Sequence, residues 1–321
     1  MKEEIGGYFQ LELDNMEEYY PDAIKLNSAR NCFKYILKAQ KPKKVYVPYY
    51  IDKSMKESSL QSLTEYKYYH IDKNFEIEDN IELNDNEKLL YANYFSLKQE
   101  YIHKLKDKYG DKLVIDNTQA FFEKPLQGID TLYSVGSKFF GVPRGGLLFT
   151  SRKLNENFDY DYTYNYSKYL IGRMDLNAAT FYRSYKASMK QRNNMPIKKM
   201  SKFSEAILKS INYEKIKLIR ERNFIFLHYY LNNINEIKIN LGNLNGPMNY
   251  PFLFKNRELR KILINNKIYV PTFWKCFIRD NNASKWEKYV SKYLLPLPVD
   301  QRYSLEDMQK IVDTIKKVVN F

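Results

Sequence analysis

Residues 111–151, DKLVIDNTQAFFEKPLQGIDTLYSVGSKFFGVPRGGLLFTS, decide the fold. Three short apolar runs stand in this stretch: DKLVIDN (111–117), DTLYSVG (130–136) and GGLLFTS (145–151). Each is rich in β-branched or aromatic residues and bounded by Gly, Pro, Asn or Asp, the signature of buried strands. Moving outward, KKVYVPYY (43–50) and EKLLYANYF (87–95) repeat the pattern. Helix-length segments lie between them. SARNCFKYILKAQ (28–40) sets Cys32, Tyr35, Ile36 and Ala39 on one face and opens at Ser28, a good N-cap. LKQEYIHKLKDKYG (97–110) closes on Gly110. Strands alternating with helices imply βαβ units, so the spacing predicts an α/β fold with a mainly parallel sheet.

From Pro196 the texture changes. SKFSEAILKSINYEKIKLIRERNFIFLHYYLNNI (201–234) reads as long helical material, followed by strand candidates NEIKINL (235–241) and NYPFLFK (249–255). SLEDMQKIVDTIKKVV (304–319) begins with Ser304 as N-cap and Asp307 three residues on, then keeps Met308, Ile311, Val312 and Ile315 at helical spacing. The expected division is a large domain over 1–195 and a smaller α+β domain over 196–321, sharing an interface.

Of the 321 residues, 44% are hydrophobic and 16% aromatic, which is ample for a core and excludes a disordered chain. Two cysteines, Cys32 and Cys276, cannot build a disulfide framework, and there is no apolar run of membrane-spanning length. The opening MKEEIGGYFQLELDN lacks a leader's apolar stretch, so a soluble cytoplasmic protein is expected. The net charge is +14, concentrated between Arg183 and Asn223, where 12 Lys or Arg face 3 Glu. That run is either a solvated helical face or a platform for phosphates. Nucleic acid is a minor reading, because no zinc-finger spacing, RNA-binding signature or helix-turn-helix accompanies the basic residues. His70, His103 and His228 lie far apart, so no metal site is expected. A phosphate-loop Gly-Lys-Ser/Thr and a Gly-x-Ser-x-Gly elbow are both missing from the sequence.

Ligands of an open parallel sheet bind beyond the carboxyl ends of its strands. Three places answer to that rule. Asp116 follows the apolar LVI and is either a turn cap or a charge partner for a cation. Lys138, beside aromatics and a Gly/Pro-rich turn, is a candidate Schiff-base amine. Ser28, Ala29 and Arg30 open a helix, where free amides and the helix dipole favour a phosphate. Taken together with the glycine pair at 145–146, these are the parts that pyridoxal 5′-phosphate requires: amides for its phosphate, a carboxylate for its ring nitrogen, a lysine for its aldehyde. Tyr49, Tyr50, Tyr94 and Phe95 follow strand ends, as cleft wall or as a ring to stack on.

VIDNTQAFF (114–122), followed by SVGSKFFGVPRGGLLFT (134–150), resembles the DegT/DnrJ/EryC1/StrS family of sugar aminotransferases, in which a strand ends in Asp-x-x-Gln or Asp-x-x-His and a Ser…(Ser/Thr)-Lys segment leads into a Gly-Gly strand. The likeness extends to LNSARNCFKYIL (26–37), KKVYVPYYIDKSM (43–55), LLYANYFSL (89–97) and LPLPVDQRYSLEDMQKIVDTI (295–315). The resemblance implies fold type I and a pyridoxal-phosphate enzyme. By it Lys138 is the imine-forming lysine and Asp116 the ring-nitrogen partner, both catalytic. Gln119 meets the cofactor face or phenolic oxygen, and Ser134 joins Ser28, Ala29 and Arg30 on the phosphate. It further implies a nucleotide-linked keto sugar as substrate, glutamate as amino donor, a homodimer, and a place in surface polysaccharide or amino-sugar synthesis. Ala29 and Arg30 stand where the family's helix opening has Gly and Thr, and the chain departs from the pattern in three further places. PIKKMS (196–201) stands where the family carries Asn-Tyr-Arg-Met, leaving Lys198 or Lys199 to supply its charge; Ser134 lies only four residues before Lys138; and Asp300, not a histidine, follows Val299. These departures mark a divergent branch and keep a second reading open: a homologue that has lost transamination and binds a sugar nucleotide, a glycan enzyme or nucleic acid.

Overall fold

A computed structural model describes residues 5–53, 55–57, 62, 64–190 and 195–319. Seven strands form one sheet: β1 (Ile24–Leu26), β2 (Lys44–Pro48), β3 (Glu65–Tyr69), β4 (Glu87–Ala92), β5 (Leu113–Asp116), β6 (Asp130–Ser134) and β7 (Gly146–Phe149). Their order is β1-β7-β6-β5-β4-β2-β3. The strands from β3 to β6 run parallel, whereas β7 is antiparallel to both β6 and β1. The expected α/β fold with a mostly parallel sheet is thus observed. One reversal at β7 means that β6 and β7 are joined without a crossover helix, so their connecting loop emerges at the carboxyl edge of the parallel strands.

Helix α1 (Ala29–Gln40) begins where Ser28 accepts a hydrogen bond from the Asn31 amide. It buries Cys32, Phe33, Tyr35, Ile36 and Leu37, more than the single stripe its spacing suggests. Helix α2 (Gln99–Tyr109) ends at Gly110 and buries Ile102, Leu105 and Tyr109. Fully covered strands such as β5, whose four residues are all buried, are what a sheet with two screened faces demands.

Beyond β7 come α3 (Lys168–Asp175), α4 (Tyr182–Lys190), α5 (Lys202–Lys209) and α6 (Tyr213–Leu231). The long helical run is therefore two helices, since Asn212 caps α6 by accepting from the Lys215 amide. The basic run spans α4 to α6, with residues 191–194 outside the described residues. The chain ends in β8 (Asn249–Leu253), α7 (Leu259–Asn265), α8 (Lys285–Tyr293), β9 (Leu294–Pro298) and α9 (Leu305–Lys316). Strands β8 and β9 form a separate antiparallel pair that shares a core with α6 and α9: Phe224, Leu227, Tyr250, Phe252, Met308, Ile311, Val312 and Ile315.

NEIKINL (235–241) is not a strand. Asn235 is buried, and its carboxamide donates to the Pro251 carbonyl at 2.9 Å while accepting from the Leu253 amide at 2.9 Å and the Ile237 amide at 3.1 Å. This side chain, together with the Glu236 amide donating to the Leu253 carbonyl at 3.0 Å, satisfies the edge of β8 that a neighbouring strand would otherwise occupy. Among the described residues, no helix is long and apolar enough to cross a membrane, and no cluster of His, Cys, Asp or Glu could hold a metal ion.

Helix α9 carries a full capping box: Ser304 accepts from the Asp307 amide while Asp307 accepts from the Ser304 amide. Ser304→Ala is expected to lower unfolding stability by about 1 kcal/mol, measured by urea denaturation, with no change in the slope of the transition.

Candidate active site at the carboxyl edge of the sheet

The carboxyl ends of β4, β5 and β6 and the amino end of α1 meet at one place. Asp116 is the last residue of β5 and only 3% exposed. Its Oδ1 accepts from the Thr118 amide at 2.8 Å. Burial raises its pKa, and the Lys138 ammonium, near enough to act on it, pulls the other way. Lys138 itself is exposed, in the loop between β6 and β7, next to Ser137, whose φ of 68° lies in the left-handed region. Ser134 ends β6 directly opposite Gly146.

Gly146 sets the distance between the sheet and α1. A methyl group on it would stand 2.5 Å from the Ala29 nitrogen and 2.5 Å from the Ser28 carbonyl carbon. No other residue type fits there without moving the helix, so the opening amides of α1 are laid against the β6–β7 edge. Ser28, Ala29 and Ser134 are brought to this edge together. Arg30 sits in the same first turn, with its guanidinium pKa lowered by burial and raised again by Asp52 and Glu57. The helix end can hold a phosphate, the Asp116 carboxylate can hold a cation, and Lys138 brings an amine within electrostatic reach of that carboxylate.

Gln119 is buried and its Oε1 accepts from the Phe95 amide at 3.1 Å. The Asn93 amide donates to the Asp116 carbonyl at 3.0 Å, and the Asn93 carboxamide reaches Asn117 Oδ1 at 3.1 Å. The loops after β4 and β5 are stitched to one another by these bonds. Phe95 and Ser96 both carry left-handed backbone, with φ of 60° and 65°. Such strain costs on the order of 1–3 kcal/mol per residue and persists only where the surroundings enforce it. Tyr49, Tyr50, Tyr94 and Phe95 are all buried; Phe95 lies nearly parallel to Phe273, centroids 6.4 Å apart.

The segment 196–200 runs along the free side of β1. Asn27 and Asn31 both donate to the Pro196 carbonyl, at 3.1 and 2.8 Å, and the Asn27 amide donates to the Lys198 carbonyl at 3.0 Å. Lys199 turns its ammonium onto Asn157 of the same chain at 2.7 Å. The sequence reading gave no weight to Arg144 and Arg220. Arg144, 3% exposed, stands 3.4 Å from Asp161 and over the Tyr166 ring. Arg220, 1% exposed, reaches the lysine loop itself.

Known structures share this architecture. A DegT/DnrJ/EryC1/StrS aminotransferase from Brucella abortus superposes with a TM-score of 0.64 over 93% of this chain and 86% of its own, at 15% identity. This chain has the fold of the sugar aminotransferases. NtdA from Bacillus subtilis, solved with bound cofactor PMP, gives 0.66 over 92% and 73% at 14% identity. DesI, solved in the presence of its TDP-sugar product, gives 0.62 over 92% and 80% at 12% identity. No family model and no curated protein matches the sequence.

Because the folded chain raises the pKa of Asp116, it binds that proton more tightly than the unfolded chain does. Stability therefore falls as pH rises from the ordinary value of 3.8 through the raised one. Asp116→Asn should accordingly melt higher than the parent at neutral pH in ligand-free protein. The gain should vanish below pH 3.8, where both states are protonated. Scanning calorimetry across that range checks the sign.

Proposed function

We propose that this chain is a pyridoxal-phosphate-dependent aminotransferase that transfers an amino group to a keto sugar carried on a nucleotide. The observation that carries the reading is the buried Asp116 carboxylate with the Lys138 ammonium in electrostatic range, beside a helix amino end held against Gly146. A buried carboxylate with a raised pKa favours a cationic neighbour, and the protonated ring nitrogen of the cofactor is one. The residues fit the group. The α1 amides at Ser28, Ala29 and Arg30, with the Ser134 hydroxyl, would hold its phosphate; Gln119, already fixed on Phe95, would meet the ring; Lys138 would join its aldehyde carbon.

When bound, the cofactor supplies an electron-accepting ring that stabilises negative charge on the carbon next to the transferred nitrogen. The protein supplies the rest. Asp116 would keep a proton on the ring nitrogen, and its buried setting would strengthen that bond. The Lys138 amine, in range of a carboxylate and open to solvent, would serve as the general base that moves the 1,3-proton. The positive balance of the chain favours an amino donor and a sugar nucleotide that both carry negative charge, glutamate being the donor that the family likeness implies. Surface polysaccharide or amino-sugar synthesis in the cytoplasm is the setting this chemistry suits.

The apolar side chains Tyr162, Tyr164, Ile171, Met174, Leu176 and Tyr182 are exposed on and around α3 and α4, with Met174 at 86%. A patch of this kind supports a homodimer in which a second copy covers it. Light scattering is expected to return the mass of two chains; a single-chain mass under assay conditions would refute the pairing.

With pyridoxal phosphate added, the purified protein should absorb in the near-visible range, respond to glutamate, and lose that absorbance in Lys138→Ala. Asp116→Asn should still take up the cofactor while turnover falls by roughly a hundredfold or more. Protein that stays colourless with the cofactor overturns the assignment.

A further inference from the structure

Arg220 leaves the face of α6 and buries its guanidinium between the loop after β6 and the segments before β8 and after β9. Its Nη2 donates to the Phe139 carbonyl at 2.9 Å, its Nη1 to the Pro247 and Met248 carbonyls at 3.0 and 3.2 Å, and its Nε to Gln301 Oε1 at 3.1 Å. Gln301 Nε2 in turn donates to the same Phe139 carbonyl at 2.8 Å. The guanidinium also lies over the Phe139 ring, 4.8 Å from its centroid. One peptide carbonyl, belonging to the residue that follows Lys138, therefore accepts two hydrogen bonds from residues 81 and 162 positions away.

This doubling is unusual for a loop. The nearest carboxylate to act on Arg220 is Asp300, yet Arg302 takes both oxygens of Asp300, at 2.6 and 2.8 Å. The buried cation is thus given over to carbonyl oxygens, where its fixed fork suits several acceptors at once. On the other side of Lys138, Gly136 is pressed against the Arg144 backbone, 2.8 Å from where its methyl would stand to the Arg144 Cα. The Phe139 and Phe140 rings are sealed among Phe121, Phe122 and Tyr213. The main chain around Lys138 is consequently held on both sides, while the lysine faces out of the core.

We propose that Arg220 and Gln301 are positioning residues that fix Lys138 through the Phe139 carbonyl. They make the alignment of the lysine dependent on the docking of the layer built from α6, β8 and β9. The inference rests on the proposed role of Lys138, but its test separates the two. Gln301→Ala removes the second donor from Phe139. Gln301→Glu has the same shape and keeps the Arg220 contact, yet also has no donor for the carbonyl. If the pair merely joined the layers, Gln301→Glu, which keeps a contact to Arg220 but sets an oxygen against the Phe139 carbonyl, would act on stability without a change confined to Lys138.

Two rates are read at Lys138 by peptide mass spectrometry, with the thermal midpoint as control. The first is acylation of cofactor-free protein by a small amine-directed reagent. The second is covalent uptake of pyridoxal phosphate, trapped by borohydride as a mass gain on Lys138. Loosening the loop should raise the first and lower the second, each by about fivefold for one lost hydrogen bond, in both variants. Lys153 and Lys202 should label as in the parent in both variants. General destabilisation would instead raise labelling at every lysine. Unchanged rates at Lys138 in both variants overturn the proposal. A parent chain that takes up no pyridoxal phosphate refutes the function proposed for Lys138, while acylation alone still decides whether the clamp positions it.

Discussion

The amino end of α1 can lie across β7 only because residue 146 has no side chain. With the Ala29 nitrogen and Ser28 carbonyl carbon each 2.5 Å from the position of an added methyl, the contact is backbone on backbone. Much of the site inherits its geometry from it. The register places Ser134 opposite Gly146, so the end of β6 is brought to the helix opening; β5 lies next to β6, pairing Asp116 with Leu132. The reversal at β7 returns the chain through the loop holding Lys138 to the same edge. A helix dipole, a buried carboxylate and an amine are thereby set around one small volume by the pitch of a sheet and the absence of one carbon atom.

Irregular backbone elsewhere is held by a second device, the buried asparagine. Asn27 and Asn31 fasten the Pro196 carbonyl to α1, Asn93 ties the loop after β4 to Asn117, Asn223 donates to the Val299 and Tyr303 carbonyls, and Asn235 completes the edge of β8. A carboxamide carries the donor and acceptor of a peptide group on a short stem, so it can replace a missing strand or turn partner. Each such bond is modest in net stability, but leaving the buried carbonyl without it would cost more than the bond itself contributes. A chain rich in asparagine has used that composition to close loops that glycine and proline, at 11 residues each, do not shape.

What could be read from the sequence divides along the range of the interactions. Helix α1 was legible because Ser28 and its apolar spacing are local, and the strands LVI and LLF because they are short, apolar and bounded. The order of Asp116, Gln119, Ser134 and Lys138 was legible as a pattern of residue types. Their distances were not, since these depend on Gly146 meeting a helix more than a hundred positions earlier. Strand β3, EYKYY, was missed because its edge position leaves polar side chains on one face. Strand β9, LLPLP, was missed because its prolines argue against a strand until the register shows Pro251 opposite Pro296, with two missing N–H groups on a single rung. NEIKINL misled for the opposite reason: its pattern suits a strand, but the position beside β8 is filled by a side chain. The Arg220 contacts had no local signature, because Phe139, Pro247 and Gln301 meet only in three dimensions.

The placement of β1 has a consequence for synthesis on the ribosome. One edge of β1 pairs with β7, residues 146–149, and its other edge is lined by the Lys198–Met200 backbone. Neither partner exists when β1 leaves the ribosome, whereas β2, β4, β5 and β6 can assemble in the order in which they emerge, through neighbours close in sequence. Contacts of such long range form late, after the loops between them have been closed at an entropic cost. The amino-terminal strand therefore waits, unpaired, until β7 has been translated, and only then does α1 gain the sheet edge that holds its opening turn in place; residues 198–200 fill the other edge later still.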